Sequence, residues 1–207
     1  MNKIIYVFRH GETDSNAEHR MQGWLDVPLN ETGVTQAAAL AHRLSDVRFD
    51  CIYSSPLSRA LDTARHVAGT NTQIIINNDL REWNLGDFCG HILRLTDEPA
   101  DTPIDMSGDT LHIPYALISD DDFLPPNGET YNMFIARVRN AFLDIVNNSD
   151  GQTIGIATHG GVAKNIMRQF TDAIWPRGGM PNAEYFRLEY DGTRFSMPEL
   201  PLWLTQG

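Results

Sequence analysis

The chain has 207 residues, enough for one medium domain that buries roughly 70% of the surface its unfolded form exposes, so no disulfide scaffold is needed. Its formal net charge of -11 lacks the positive footprint that nucleic acid or an anionic membrane requires, and an anionic small molecule could bind only where arginines concentrate locally. Cys51 and Cys89 form no CxxC or Cys/His cluster, and no apolar run nears the about 18 residues of a membrane span or resembles a signal peptide; the expectation is a soluble, cytoplasmic protein without a metal site.

Short apolar runs alternate with amphipathic segments along the chain. "KIIYVF" reads as a buried strand that stops on Arg9, His10, Gly11 and Glu12, residues a core does not readily absorb. Turn signals at "DVPLNETG" follow. From about Thr35 to Val47, the residues Ala37, Leu40, Ala41 and Leu44 recur at helical spacing. "DCIYSS" is the next strand, with Cys51 in the core, and beyond Pro56 the residues Leu57, Ala60, Leu61, Ala64 and Ala68 mark one helical face that leaves Arg59 to its side. "QIIIN" is a third strand. Residues 91–127 hold several prolines and the run Asp120 to Asp122 and show little periodicity; they read as a cap-like insertion over the site or a flexible excursion. Phe134, Val138, Ala141, Phe142 and Ile145 stripe a further helix, "TIGIAT" is a strand, and Val162, Ile166 and Phe170 stripe the helix after it. "EYFRLEYDGTRFSM" is a hairpin turning at Asp191 and Gly192.

This alternation predicts a single α/β domain over residues 1–207, with a mostly parallel central sheet and helices on both faces. In such sheets the functional crevice lies at the carboxyl ends of the strands. His10 and His159 each follow a strand directly, so they are predicted neighbours.

A lone histidine at a strand end is usually structural, but the surroundings of His10 suit nucleophilic chemistry. A nucleophilic imidazole needs one bare nitrogen pointed outward and its other N–H held by an acceptor, and Gly11 allows a sharp backbone turn that leaves its carbonyl free for that task. Arg9 and Arg59 both sit at strand-end turns, where guanidinium groups can grip phosphate oxygens in bidentate fashion. His159 precedes Gly160 and Gly161 at a helix start, which adds an imidazole donor beside backbone N–H groups. Glu12 and Asp14 read as structural, the Asp120 to Asp122 run as a solvated loop, and His91, Arg94 and His112 as residues that could read a substrate beyond its phosphate.

The ordered stretches "RHGETDSN", "SSPLSRALDTA", "LREWNLGDFCG", "PPNGET" and "ATHGG" resemble the successive motifs of the histidine phosphatase superfamily, phosphatase branch, with its phosphoglycerate-mutase-like fold. The likeness covers most of the chain except about His91 to Leu124. It implies that His10 is the nucleophile that becomes phosphohistidine and Glu82 the proton donor, within the spacing Glu82, Gly86, Gly90. It also implies that His159, Arg9, Arg59 and Asn16 hold the phosphate, with Gln22, Gly23 and Gly160 lining the pocket. A neighbouring phosphoryl charge would help Glu82 keep its proton. The implied activity is hydrolysis of a small phosphomonoester, with no cofactor and no metal. A phosphoglycerate mutase primed by bisphosphoglycerate and a non-catalytic phospho-ligand binding protein are the alternatives, and a homodimer is left open. Glu184 departs from the pattern, which often has a small hydroxyl residue there; a carboxylate near the pocket would disfavour multiply anionic substrates, and the alternative is a side chain pointing away along its strand.

Overall fold

Branched and aromatic side chains make Lys3–Arg9 the first strand, β1, with Ile5 and Val7 facing one side of the sheet and Tyr6 and Phe8 the other. The computed structural model describes residues 2–205. After β1 come α1 (Asp14–Ala17), α2 (Glu31–Arg43), β2 (Cys51–Ser54), α3 (Ser58–Ala68) and β3 (Gln73–Ile76). Then follow β4 (Ile92–Thr96), β5 (Thr110–Pro114), α4 (Tyr115–Ile118), α5 (Tyr131–Asn148), β6 (Thr153–Thr158), α6 (Gly160–Phe170), β7 (Tyr185–Tyr190), β8 (Phe195–Ser196) and α7 (Leu202–Thr205).

The main sheet has the order β3-β2-β6-β1-β7-β8. β1, β2, β3 and β6 run parallel, and the β7–β8 hairpin returns antiparallel. The chain leaves β1, skips one position to form β2, and later fills the gap with β6. The carboxyl ends of β1 and β6 therefore finish side by side, with Arg9 opposite Thr158.

Helices cover both faces, as expected. On one, Ile5, Val7, Ile154 and Ile156 pack against Phe134, Val138 and Phe142 of α5 and Val162 and Ile166 of α6. On the other, Phe8, Ile52 and Ala157 meet Leu40 of α2 and Ala64 and Ala68 of α3, whose small side chains let the helix lie close. Burying each such large aliphatic or aromatic side chain stabilises the fold by about 1.5–3 kcal/mol before conformational entropy is counted.

Two expectations need correction. α2 starts at Glu31 rather than near Thr35, because the side chain of Asn30 caps it by accepting from the Gly33 N–H at 2.8 Å. The residues read as turn signals are that cap. Within residues 91–127 there is regular structure: β4 and β5 form a separate two-stranded parallel sheet, Leu93 against Leu111 and Leu95 against Ile113. Leu111 and Ile113 bury against Phe88, with Met21 and Leu85 at the edge of that cluster.

The loop after β1 is pressed onto the first turn of α2. A Cβ on Gly11 would lie 2.4 Å from the Gly33 oxygen, and one on Gly33 would lie 2.0 Å from the Glu12 oxygen. Both are backbone contacts that cannot relax cheaply. Gly33→Ala is therefore expected to lose about 1–3 kcal/mol in urea unfolding, whereas Val34→Ala, next to it and 45% exposed, changes the midpoint little.

Candidate active site

The parallel register of β1 on β6 delivers His10 and His159 to adjacent positions, with ring centroids 5.2 Å apart and planes at 61°. The Nδ1 of His10 lies 2.6 Å from the Gly11 carbonyl oxygen, which can only accept, so Nδ1 carries the ring proton and Nε2 the lone pair. No protein group bonds Nε2 among the described residues. The loop itself is held from three sides: Gly11 N–H donates to Thr63 Oγ1 at 3.1 Å, and the His10 carbonyl accepts from Ala183 N–H and Asn182 Nδ2, each at 3.1 Å. His159 is fully buried and sits beneath the cavity rather than in its wall, with Nε2 2.8 Å from Ser55 Oγ and Nδ1 without a partner.

Among the described residues Arg59 is the largest fully buried side chain, although the sequence placed it off the apolar face of its helix. Its Nη1 donates to the Leu25 carbonyl at 2.7 Å and its Nη2 to the Gly23 carbonyl at 2.9 Å. Gly23 has φ +48, and a Cβ there would meet Cys89 Sγ at 2.6 Å. Arg9 donates from Nη1 to the Met180 carbonyl. Both guanidinium groups keep a buried Nε without a partner, and neither forms an ion pair among the described residues. Burial pulls the Arg59 pKa down to about 10 and lowers that of Arg9, yet both remain cationic near neutrality.

Glu82 comes in from the segment after β3. Its Oε2 accepts from Gly161 N–H at 2.8 Å and its Oε1 from Trp83 N–H at 2.9 Å. It thus satisfies one orphan N–H at the start of α6, whose N-cap residue His159 offers no side-chain cap. A Cβ on Gly161 would sit 2.2 Å from Glu82 Oε1, so only glycine admits the carboxylate there. Behind Glu82, Arg137 donates to the Arg81 carbonyl at 3.0 Å and the Glu82 carbonyl at 3.1 Å while paired with Glu129. Glu129 in turn accepts from Asn84 N–H at 2.9 Å, and Trp24 Nε1 donates to the Glu82 carbonyl at 2.7 Å.

Arg9, His10, Asn16, Gln22, Gly23, Arg59, Glu82 and Gly160 all line one cavity of about 380 Å³. Asn16 directs its Oδ1 to Thr13 and to Asn182 Nδ2, and Gln22 is buried with an Oε1 that finds no donor. Gly161 lines it as well, and residues that the sequence reading did not single out complete the wall: Arg20, Trp83, Leu85, Lys164, Trp175, Gly179 and Met180. Of these only Lys164 had a usable signal, one helical turn after Gly160. His91, Arg94 and His112 line no part of it; they lie in or beside β4 and β5. Glu184 is also outside the wall, paired at 2.7 Å with Arg43, so of the two orientations the sequence left open it takes the one away from the pocket. Among the described residues no group of three or more His, Cys, Asp or Glu side chains could hold a metal ion.

The family model of the histidine phosphatase superfamily (branch 1) matches residues 5–201, and the chain belongs to that superfamily. Phosphoglycerate mutase-like protein 4 of Arabidopsis thaliana is 35% identical over 167 residues, covering 78% of this chain and 68% of its own. Glucosyl-3-phosphoglycerate phosphatase of Mycobacterium tuberculosis is 34% identical over 198 residues, covering 89% of this chain and 84% of its own. A solved mycobacterial glucosyl-3-phosphoglycerate phosphatase complexed with VO3 has a TM-score of 0.73 and 28% identity, over 94% of this chain and 96% of that one.

Burial first, then Arg59 and Arg9, hold the His10 imidazole well below its ordinary range against the opposing Gly11 carbonyl, and burial with Arg59 does the same to His159. Unfolding releases both to titrate near their ordinary value of about 6.5. The unfolded chain then binds more protons than the folded one, so stability is expected to fall as pH drops below about 6.5. Urea midpoints measured against pH check this, with a shallower slope in His10→Gln. Glu129→Ala, which strands the Arg137 guanidinium, is expected to lose about 3–5 kcal/mol in the same assay.

Proposed function

We propose that this chain is a phosphomonoesterase that hydrolyses a small phosphorylated metabolite through a phosphohistidine on His10. The observation that carries the reading is the His10 ring: Nδ1–H is committed to Gly11 at 2.6 Å, and the Nε2 lone pair is left without a protein partner in a cavity walled by Arg9 and Arg59. Burial keeps that imidazole neutral near pH 7, the form that can attack phosphorus.

In the first step Nε2 forms the bond to phosphorus as the ester P–O bond breaks, and the departing alkoxide takes a proton from the Glu82 carboxyl. In the second, water attacks the phosphohistidine, Glu82 accepts its proton, and the N–P electron pair returns to Nε2. Arg9, Arg59 and Asn16 hold the non-bridging oxygens, while His159, beneath the cavity, packs edge-on against the His10 ring. The chain is similar to relatives named for phosphatase activity, one of them solved with VO3.

One relative is named phosphoglycerate mutase-like, and the first step is common to hydrolysis and mutase transfer. A phosphomonoester panel separates them. Phosphate release by the wild type, its fall by about a thousandfold or more in His10→Ala, and acid-labile phosphate trapped on His10 are expected. In Glu82→Gln the loss is expected to be larger for alkyl phosphates than for p-nitrophenyl phosphate, whose leaving group needs no proton. Fast interconversion of 2- and 3-phosphoglycerate with negligible release would establish the mutase, and binding without turnover or trapped phosphate would establish a non-catalytic protein.

A further inference from the structure

Three consecutive residues of the loop between α1 and α2 touch two parts of the site at once. The carbonyls of Gly23 and Leu25 accept from Arg59 at 2.9 and 2.7 Å, and Trp24, between them, donates from its indole Nε1 to the Glu82 carbonyl at 2.7 Å. The loop is also pressed onto the chain just beyond Glu82, since a Cβ on Gly23 would lie 3.0 Å from the Trp83 carbonyl oxygen and 3.2 Å from the Leu85 nitrogen. The Arg81 guanidinium covers the Trp24 ring, 3.9 Å from its centroid, and steadies the plane of the indole.

The oxygen that accepts from Trp24 belongs to the peptide joining Glu82 to Trp83. The N–H of that same peptide donates to Glu82 Oε1 at 2.9 Å, while Oε2 accepts from Gly161 N–H at 2.8 Å. A peptide unit is planar and turns as one piece, so whatever pins its oxygen also aims its N–H, and through it the carboxyl group. Among the described residues two side chains pin this oxygen, Trp24 at 2.7 Å and Arg137 at 3.1 Å. Arg137 spreads its donors over the carbonyls of Asp79, Arg81 and Glu82 and its pair with Glu129, and so shapes the whole segment. Trp24 gives its single ring N–H to this one atom.

We propose that Trp24 is a positioning residue of the reaction, whose indole N–H fixes the peptide after Glu82 and thereby holds the Glu82 carboxyl in place relative to the phosphate grip of Arg59. Trp24 lines no part of the cavity, so it acts through Glu82 and not on the substrate. The assignment rests on the phosphatase reading and adds a residue to it. Without the indole N–H the peptide is held by Arg137 alone, and proton delivery to the leaving oxygen suffers first, because a general acid must stay within hydrogen-bond reach of the atom it serves. The grip on the phosphoryl group persists, because Arg59 is held by backbone carbonyls that a changed side chain at position 24 leaves in the loop.

Trp24→Phe keeps an aromatic ring beneath Arg81 and removes the N–H. Its kcat/KM, which reports the steps up to departure of the leaving group, is measured for glycerol 3-phosphate, whose alkoxide needs a proton, and for p-nitrophenyl phosphate, whose phenolate does not. The expected loss is about tenfold or more on glycerol 3-phosphate and less than about twofold on p-nitrophenyl phosphate, with inhibition by vanadate, a probe of the phosphate grip, within about twofold of wild type. In a Glu82→Gln background the substitution is expected to cost nothing further on glycerol 3-phosphate, since the group it positions is gone. Equal losses on both esters, no loss on either, or a full additional loss in the Glu82→Gln background would overturn the assignment. A thermal melt matching wild type shows that Trp24→Phe is folded. Should it melt below the assay temperature, Arg81→Ala takes its place: it uncovers the indole and is expected to lose about threefold on glycerol 3-phosphate alone, and an equal loss on both esters, or none, overturns the assignment. Release from p-nitrophenyl phosphate, abolished in His10→Ala, leaves the phosphatase reading standing in those cases, whereas a wild type that releases phosphate from neither ester sinks both.

Discussion

Parallel pairing of β1 with β6, with Arg9 set against Thr158, brings residues remote in the chain to one spot at the sheet's carboxyl edge. Strand side chains alternate between faces, so a slip of one residue would exchange Ile5 and Val7 for Tyr6 and Phe8 in the core contacts and move His10 away from His159. The register is pinned on both sides of the sheet at once, because each face of β1 is buried under a different pair of helices. The hydrophobic pattern of a seven-residue strand thereby fixes where the imidazoles meet.

A second constraint is electrostatic. Buried Arg59, half-buried Arg9 and two buried histidines are gathered together, an arrangement that desolvation opposes. The protein anchors the guanidinium groups with carbonyl oxygens of Gly23, Leu25 and Met180 rather than with carboxylates. Carbonyl dipoles fix position and offset part of the desolvation without cancelling the charge. Carboxylate partners would give the pocket a more stable empty state and a weaker hold on an anion. Keeping both imidazoles neutral limits the positive charge stored in the unliganded site.

How much of this was legible in the sequence follows from how local each determinant is. β1, β2, β6 and the apolar faces of α3, α5 and α6 could be read because their periodicity is contained within each segment. The strand ends carrying His10 and His159 came with them, as did the acceptor role of the Gly11 carbonyl. β4 and β5 were hidden because five-residue strands in a proline-rich stretch gain their stability from each other and from Phe88, partners that no window on the sequence contains. The burial of Arg59 was equally invisible, since the carbonyls that accept it belong to a loop more than 30 residues upstream. The orientation of Glu184 stayed open for the same reason: its neighbour Arg43 sits at the far end of α2. Ser55 was quoted within its motif but could not be assigned to His159 before β2 was seen beside β6.

The bond from Gly161 to the Glu82 carboxylate ties a side chain of the β3 segment to the opening turn of α6. The carboxylate in the cavity wall is therefore aimed by the opening turn of a different element, so a shift of α6 against the β3 segment would carry Glu82 out of its place in that wall.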